Sequence, residues 1–242
     1  MYFATNDIHV PRFHHERFRG KNLMGVRGDA IVQFDWTVGQ LMKKLHELKI
    51  DDNTLVILTS DNGPVVDDGY QDRAKELLNG HSPAGPFRGN KYSAFEGGTA
   101  VPFIVSWPRK IKGGAVSKAL VSQIDLLSSL GSLVHARLPK GSAPDSRNYL
   151  PTILGSDQKG RDYVIGQSNT HVLSVLTPQY RYIEPSNGPK MIQWGPKIET
   201  GNLPVPQLYD MTVSPYETNN VAAEHPDEVS RMQDILKNER SK

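Results

Sequence analysis

The sequence predicts an α/β fold followed by a smaller antiparallel sheet with a closing helix, and three observations predict it. Between 29 and 48, apolar residues recur at Ile31, Phe34, Val38, Leu41, Leu45 and Leu48, the spacing of one helical face. Residues 54–59 (Thr-Leu-Val-Ile-Leu-Thr) form a continuous, partly β-branched run, the pattern of a parallel strand buried on both faces. Beyond residue 160 come short strand-like runs at 163–167, 172–176, 180–184 and 190–194, which predict a small antiparallel sheet.

The remaining elements fall into place around these. Residues 2–5 read as a strand entering a loop at Asn6, and 6–28 as a loop rich in His, Arg and Gly. Opening inside an apparent strand raises the expectation that further chain belongs upstream. The segment has no basic n-region and no long apolar stretch, so it is not read as a signal peptide. Asp51, Asp52 and Asn53 break the helix, and the strand at 54–59 ends at Ser60-Asp61-Asn62-Gly63-Pro64. A long polar stretch, 65–98, then precedes a strand at 101–107; stretches of that length in a compact domain are commonly functional. A helix at 123–134 places Ile124, Leu127, Leu130 and Val134 on one face, and 226–240 is a polar helix carrying Val229, Met232 and Leu236. Composition shifts to Pro, Gly, Ser and Asp at 139–160, so the chain is divided into 1–155 and 156–242. A helix, a buried strand, a long loop, a strand and a helix in that order place ligands at strand C-termini.

Composition excludes several classes. Cysteine is absent among the 242 residues, which removes disulfides, thiolate metal sites and a cysteine nucleophile. With 28 Lys plus Arg against 26 Asp plus Glu there is no basic footprint for nucleic acid. No apolar run of about 18 residues exists to span a membrane as a helix.

Four places could carry chemistry. Asp61 and Asn62, at the end of a strand, offer a carboxylate and an amide oxygen to a hard cation such as calcium, or simply make a turn. In 89–98, glycines permit close backbone approach to a ligand, and Lys91 could supply a point charge to an oxyanion. His9, in His9-Val10-Pro11, could protonate a leaving group near neutral pH or be an ordinary loop histidine. His81, in Gly80-His81-Ser82-Pro83, has the same two readings, and His14-His15 reads as surface.

These pieces occur in a fixed order. His9-Val10-Pro11-Arg12, Thr59-Ser60-Asp61-Asn62-Gly63-Pro64, Arg88-Gly89-Asn90-Lys91 and Phe95-Glu96-Gly97-Gly98 before Val101-Pro102 closely resemble successive motifs of the arylsulfatase family. Gln207-Leu208-Tyr209-Asp210-Met211, with Pro215-Tyr216-Glu217-Thr218-Asn219-Asn220-Val221-Ala222, resembles that family's C-terminal signature. The resemblance implies part of an alkaline-phosphatase-like α/β core, a sheet sandwiched by helices, with a smaller C-terminal antiparallel sheet plus helix. It implies a sulfatase, acting on a sulfated small molecule or glycan with calcium and a formylglycine made from Cys/Ser-x-Pro-x-Arg. On this resemblance Asp61 and Asn62 are calcium ligands, Lys91 holds a sulfate oxygen, and His9 contacts the sulfate or protonates the departing alkoxide. His81 is a further substrate contact. Relatives of this type are often periplasmic, secreted or lysosomal.

Two departures accompany it. Neither Cys/Ser-x-Pro-x-Arg nor an early Asp-Asp metal pair is present, so formylglycine cannot form in this chain. Ala100 stands where the family usually has Arg, which predicts weakened ion pairing behind the site. The chain is therefore expected to be a sulfatase portion with an incomplete calcium site, inactive alone and partnered by an N-terminal portion. A phosphate or phosphonate monoester hydrolase of the same superfamily, and a catalytically dead glycan- or partner-binding domain, remain the alternatives.

Overall fold

A computed structural model describes residues 1–195 and 197–241. Helix α1 (Gly25–Glu47) starts earlier than the periodic stretch, because the loop before it is tied into its first turns. The Asn22 side chain accepts the Met24 N–H at 2.8 Å, and the buried Asp29 carboxylate accepts Gly20 and Asn22 N–H groups at 2.7 and 3.0 Å. His14 joins this knot with Nε2 3.6 Å from Asp29 Oδ2, so it is a half-buried side chain rather than a surface one. The first segment, 2–5, forms no strand and is exposed.

Strand β1 (Val56–Thr59) is followed by the short helix α2 (Glu96–Thr99) and strand β2 (Phe103–Ser106). The parallel pairing expected of β1 is corrected: it runs antiparallel to β2, with Val56 opposite Ser106 and Thr59 opposite Phe103, and its residues are half-buried. A β-branched run specifies a strand but not its partner's direction, and the partner is the strand that follows in sequence. Helix α3 (Asp125–Leu133) also departs from its pattern. Its buried residues are Asp125, Ser129 and Gly131, while Leu127 is 50% and Val134 69% exposed. The Asp125 carboxylate explains the inversion, receiving Arg161 Nε and Nη2 at 2.6 and 2.5 Å and the N–H groups of Ser122 and Arg147. Burial alone would raise its pKa, but these donors hold it below the ordinary carboxylate value.

After the short helix α4 (Leu150–Ile153), four strands form one antiparallel sheet in chain order: β3 (Val164–Gln167), β4 (Leu173–Leu176), β5 (Tyr180–Ile183) and β6 (Gln207–Asp210). Helix α5 (Pro226–Arg240) has the bounds its sequence predicts. It lays Val229, Met232 and Leu236 against Val175, Tyr182 and Leu208, a fully formed core. The strand expected at 190–194 is replaced by a single bridge, Met191 to Glu199. That segment folds on itself, Ile192 N–H to Ile198 O at 2.8 Å and Thr200 N–H to Lys190 O at 3.0 Å, so its backbone groups are not offered to the sheet. The fourth strand is Gln207–Asp210 instead. Among the described residues, no helix is long and apolar enough to cross a membrane.

Candidate active site

The site is assembled where β1 ends. Gly63 lies so close to the α2 turn that a Cβ there would meet Gly97 O at 1.9 Å, so only glycine fits. Its N–H donates to Gly98 O at 3.0 Å, and one residue on, Pro64 O accepts the Lys91 N–H at 2.8 Å. Two backbone hydrogen bonds thus seat the Asp61-Asn62 turn beside the Lys91 loop, although some thirty residues separate them.

Asp61 is exposed and Asn62 half-buried. Asp61 Oδ1 accepts the Asn62 N–H at 3.0 Å, and the Asn62 amide nitrogen donates to Gly63 O at 2.9 Å. That leaves Asp61 Oδ2 and Asn62 Oδ1 unclaimed by any donor of the described chain. A carboxylate and an amide oxygen fit a calcium ion in kind, but they make only part of its shell of six to eight oxygens. Among the described residues, no group of three or more His, Cys, Asp or Glu side chains could hold a metal.

Lys91 is half-buried, with Nζ 3.9 Å from Asp68 Oδ2 and 5.3 Å from the centre of the Tyr92 ring. Asp68 in turn accepts the Tyr92 hydroxyl at 2.9 and 3.1 Å on its two oxygens. Burial, with the Asp68 hydrogen bond and charge added, pushes the Tyr92 pKa up to about 12, so the phenol stays neutral. Tyr92 has φ +82°, a conformation a bulky residue adopts only under constraint, and its neighbours supply that constraint.

His9 is exposed, and its Nδ1 lies 2.6 Å from Val10 O. That bond assigns the Nδ1 proton to the carbonyl and leaves Nε2 free to carry or accept a proton. The loop is clamped by buried Arg12, which donates to Ile8 O at 2.9 Å and Val66 O at 3.1 Å and pairs with Asp72 at 2.5 Å. Val66 follows Pro64 by two residues, so the His9 loop is attached to the same frame as Asp61, Asn62 and Lys91. His81 is exposed, held by its backbone N–H to Leu78 O at 2.9 Å, and among the described residues no hydrogen bond or ion pair ties its side chain to that frame.

Behind α2 sits a buried ionic cluster. Arg181, from β5, pairs with Glu96, lies 3.3 Å from Glu217 Oε1, and donates to Ala94 O at 3.0 Å and Ser174 Oγ at 3.1 Å. Glu217 Oε2 accepts the Glu96 N–H at 2.9 Å, at the start of α2. Arg88 adds a pair with Glu199 and a bond to Glu217 O at 2.6 Å. Glu96, four residues before Ala100, thus takes its ion pair from Arg181 of the C-terminal sheet. Burial outweighs the charges of Arg181 and Arg88 and raises the Glu217 pKa from 4.5 to about 7. Asp68, Asp72 and Arg181 carried no sequence signal, and Tyr92 had none of its own within the candidate stretch 89–98. Arg12 and Glu217 did stand inside motifs, where only their positions hinted at a structural role.

A sulfatase family model matches residues 1–136. The chain belongs to the sulfatase family. It shares the fold of the alkaline phosphatase-like superfamily. An N-acetylgalactosamine-6-O-sulfatase of Bacteroides thetaiotaomicron is 50% identical over 236 residues, covering 98% of this chain and 46% of that protein. Human (Homo sapiens) steryl-sulfatase is 32% identical over 169 residues, 69% of this chain and 28% of the relative. A solved structure from the metabolism of multiple glycosaminoglycans by B. thetaiotaomicron superposes with TM-score 0.95 at 49% identity, over 98% of this chain and 49% of that one. This sulfatase-family chain thus spans about half the length, or less, of the relatives it matches.

Proposed function

We propose that this chain supplies the sulfate-gripping and part of the cation-binding side of a sulfatase active site, and that it does not cleave a sulfate ester alone. The observation that carries this is the pair of backbone bonds that sets Lys91 against the Asp61-Asn62 turn. In this reading Asp61 and Asn62 would hold calcium, which supplies positive charge to a sulfate oxygen when bound. Lys91 binds a second sulfate oxygen as a point charge, exchanging its long contact with Asp68 for the ester. Nε2 of a protonated His9 hands its proton to the departing alkoxide while Nδ1–H keeps the ring oriented on Val10 O. His81, exposed beyond that frame, would be a further substrate contact.

No residue here can become formylglycine, and covalent attack needs one. We therefore infer that an N-terminal portion, on the same or a separate polypeptide, brings the nucleophile and further calcium ligands. The segment 1–155 belongs to the core it completes, and 156–242 forms the smaller subdomain. The 50% identity to an N-acetylgalactosamine-6-O-sulfatase favours a sulfated amino sugar of a glycan as substrate over an aryl or phosphate ester.

The test is turnover of 4-nitrophenyl sulfate and of N-acetylgalactosamine 6-sulfate. The purified chain is expected to show background rates. Co-expression with a formylglycine-bearing N-terminal portion of a relative is expected to restore hydrolysis, with Lys91→Ala lowering it about 100-fold or more. Turnover by the purified chain alone, lost in Lys91→Ala, overturns the proposal.

A further inference from the structure

The stretches 188–195 and 197–201 of the C-terminal region are tied to the Lys91 loop at their root. Pro189 O accepts Thr200 Oγ1 at 2.6 Å and Asn202 Nδ2 at 2.8 Å, and Thr200 O accepts the Ala94 N–H at 2.9 Å. Glu199 pairs with Arg88. Ile192 anchors the same segment by burial, at 4% exposure. Above this root stands Trp194, whose indole lies 5.3 Å from the Tyr92 ring at 68°.

A tryptophan that served only to pack against Tyr92 would be covered, yet Trp194 is 51% exposed. The other two tryptophans are engaged within the chain: Trp36 lies under the Arg17 guanidinium at 3.6 Å and Trp107 donates to Asn53. Trp194 has neither a cation on its ring nor an acceptor for its N–H among the described residues. An amphipathic ring with an open surface and a free donor suits a ligand that has both C–H faces and hydroxyls.

Its position near Lys91 limits the ligand. Lys91 Nζ lies 5.3 Å from the Tyr92 ring, and Trp194 lies the same distance from that ring. Two such steps at most separate the ammonium from the indole, a gap that a sugar bearing a sulfate ester spans. We propose that Trp194 is the wall on which the pyranose ring of the substrate stacks while Lys91 grips its sulfate, so the site selects sugar sulfates. The inference rests on the sulfatase reading above and adds the residue that recognises the sugar. Tyr92, whose hydroxyl donates to Asp68, neighbours both.

The experiment uses the chain itself, which binds without consuming ligand. Saturation-transfer NMR titrations compare N-acetylgalactosamine 6-sulfate with unsulfated N-acetylgalactosamine on wild type, Trp194→Ala, Trp194→Phe and Lys91→Ala. The sulfated sugar is expected to bind more tightly, with saturation on one face of its ring. Trp194→Ala should weaken it up to about tenfold and abolish that one-face pattern, whereas Trp194→Phe retains most of both. Lys91→Ala should remove the preference for the sulfated sugar. An unchanged affinity and saturation pattern in Trp194→Ala, with the sulfate preference intact, overturns the inference and leaves the sulfatase reading standing. Absence of any sulfate preference in the wild type overturns both.

Discussion

The two sheets of this molecule differ in how they are closed. The four-stranded sheet is sealed by α5, with Val175, Tyr182, Leu208 and Met232 fully buried between them. The β1–β2 pair carries the candidate site but has no such seal: Ile104 of β2 is 59% exposed, and α3 turns Leu127 and Val134 outward. The region that carries the proposed chemistry is the one whose apolar surface is left open; it leans on the closed sheet through Arg181 and on the loops of the C-terminal region through Arg88 and Ala94. Stability thus resides in one half and the reactive groups in the other, with a buried ionic cluster as the joint.

The sharpest way to break this comparison is to cut the core of the closed sheet. Leu236→Ala removes a buried side chain from α5 and should cost about 2–5 kcal/mol, read as a fall in the denaturation midpoint. Hydrogen exchange should show the β4 and β5 amides better protected than those of β1 in the wild type. Equal protection in β1 would mean that the site-bearing pair is as self-sufficient as the C-terminal sheet.

The division was partly legible in the residues. Helix α5 was readable to its ends, because Pro226, the acidic first turn and the Val229-Met232-Leu236 stripe all agree. The Asp61-Asn62 and Lys91 motifs were readable because one sits at a strand end and the other among glycines, and the Gly63 contact shows why the glycine is needed there. What was not readable came from long-range pairing. Nothing local in 54–59 announces an antiparallel partner, and nothing in 190–194 announces that its backbone bonds close on 198–200. On α3, apolar periodicity pointed to a buried face, but the tertiary bond from Arg161 to Asp125 drew in the other side. Arg181 was invisible for the same reason, since its partners Glu96 and Glu217 lie far from it in sequence.

The joint can be probed by pH. Glu217 has its pKa raised from 4.5 to about 7, chiefly by burial, so the folded chain holds its proton more tightly than the unfolded chain does. Its contribution to stability is therefore full below pH 4.5 and is lost as pH rises towards 7. Comparing urea denaturation at pH 5 and pH 7.5, the wild type should lose about 1–3 kcal/mol relative to Glu217→Gln over the same interval. Glu217→Gln keeps an oxygen for the Glu96 N–H but cannot ionise. A pH slope unchanged by this substitution would show that Glu217 does not titrate in the joint.

The smallest effect on folding is expected on the open face. Leu127 is half exposed on α3, beside exposed Ile124 and Val134, so replacing it by serine removes little buried area. Leu127→Ser should shift stability by no more than about 0.5 kcal/mol, an order below Leu236→Ala. Its consequence should instead be intermolecular. An apolar face of this kind promotes association, and under the proposed function it is where further sulfatase chain packs. Size-exclusion chromatography should show Leu127→Ser less self-associated than wild type, while the co-expressed N-terminal portion of a relative binds it less well. If Leu127→Ser destabilises the chain as strongly as Leu236→Ala, Leu127 belongs to a closed core and the contrast between the two halves fails. If stability holds but neither self-association nor capture of the N-terminal portion changes, the face is open and packs nothing, and another surface must receive the completing chain.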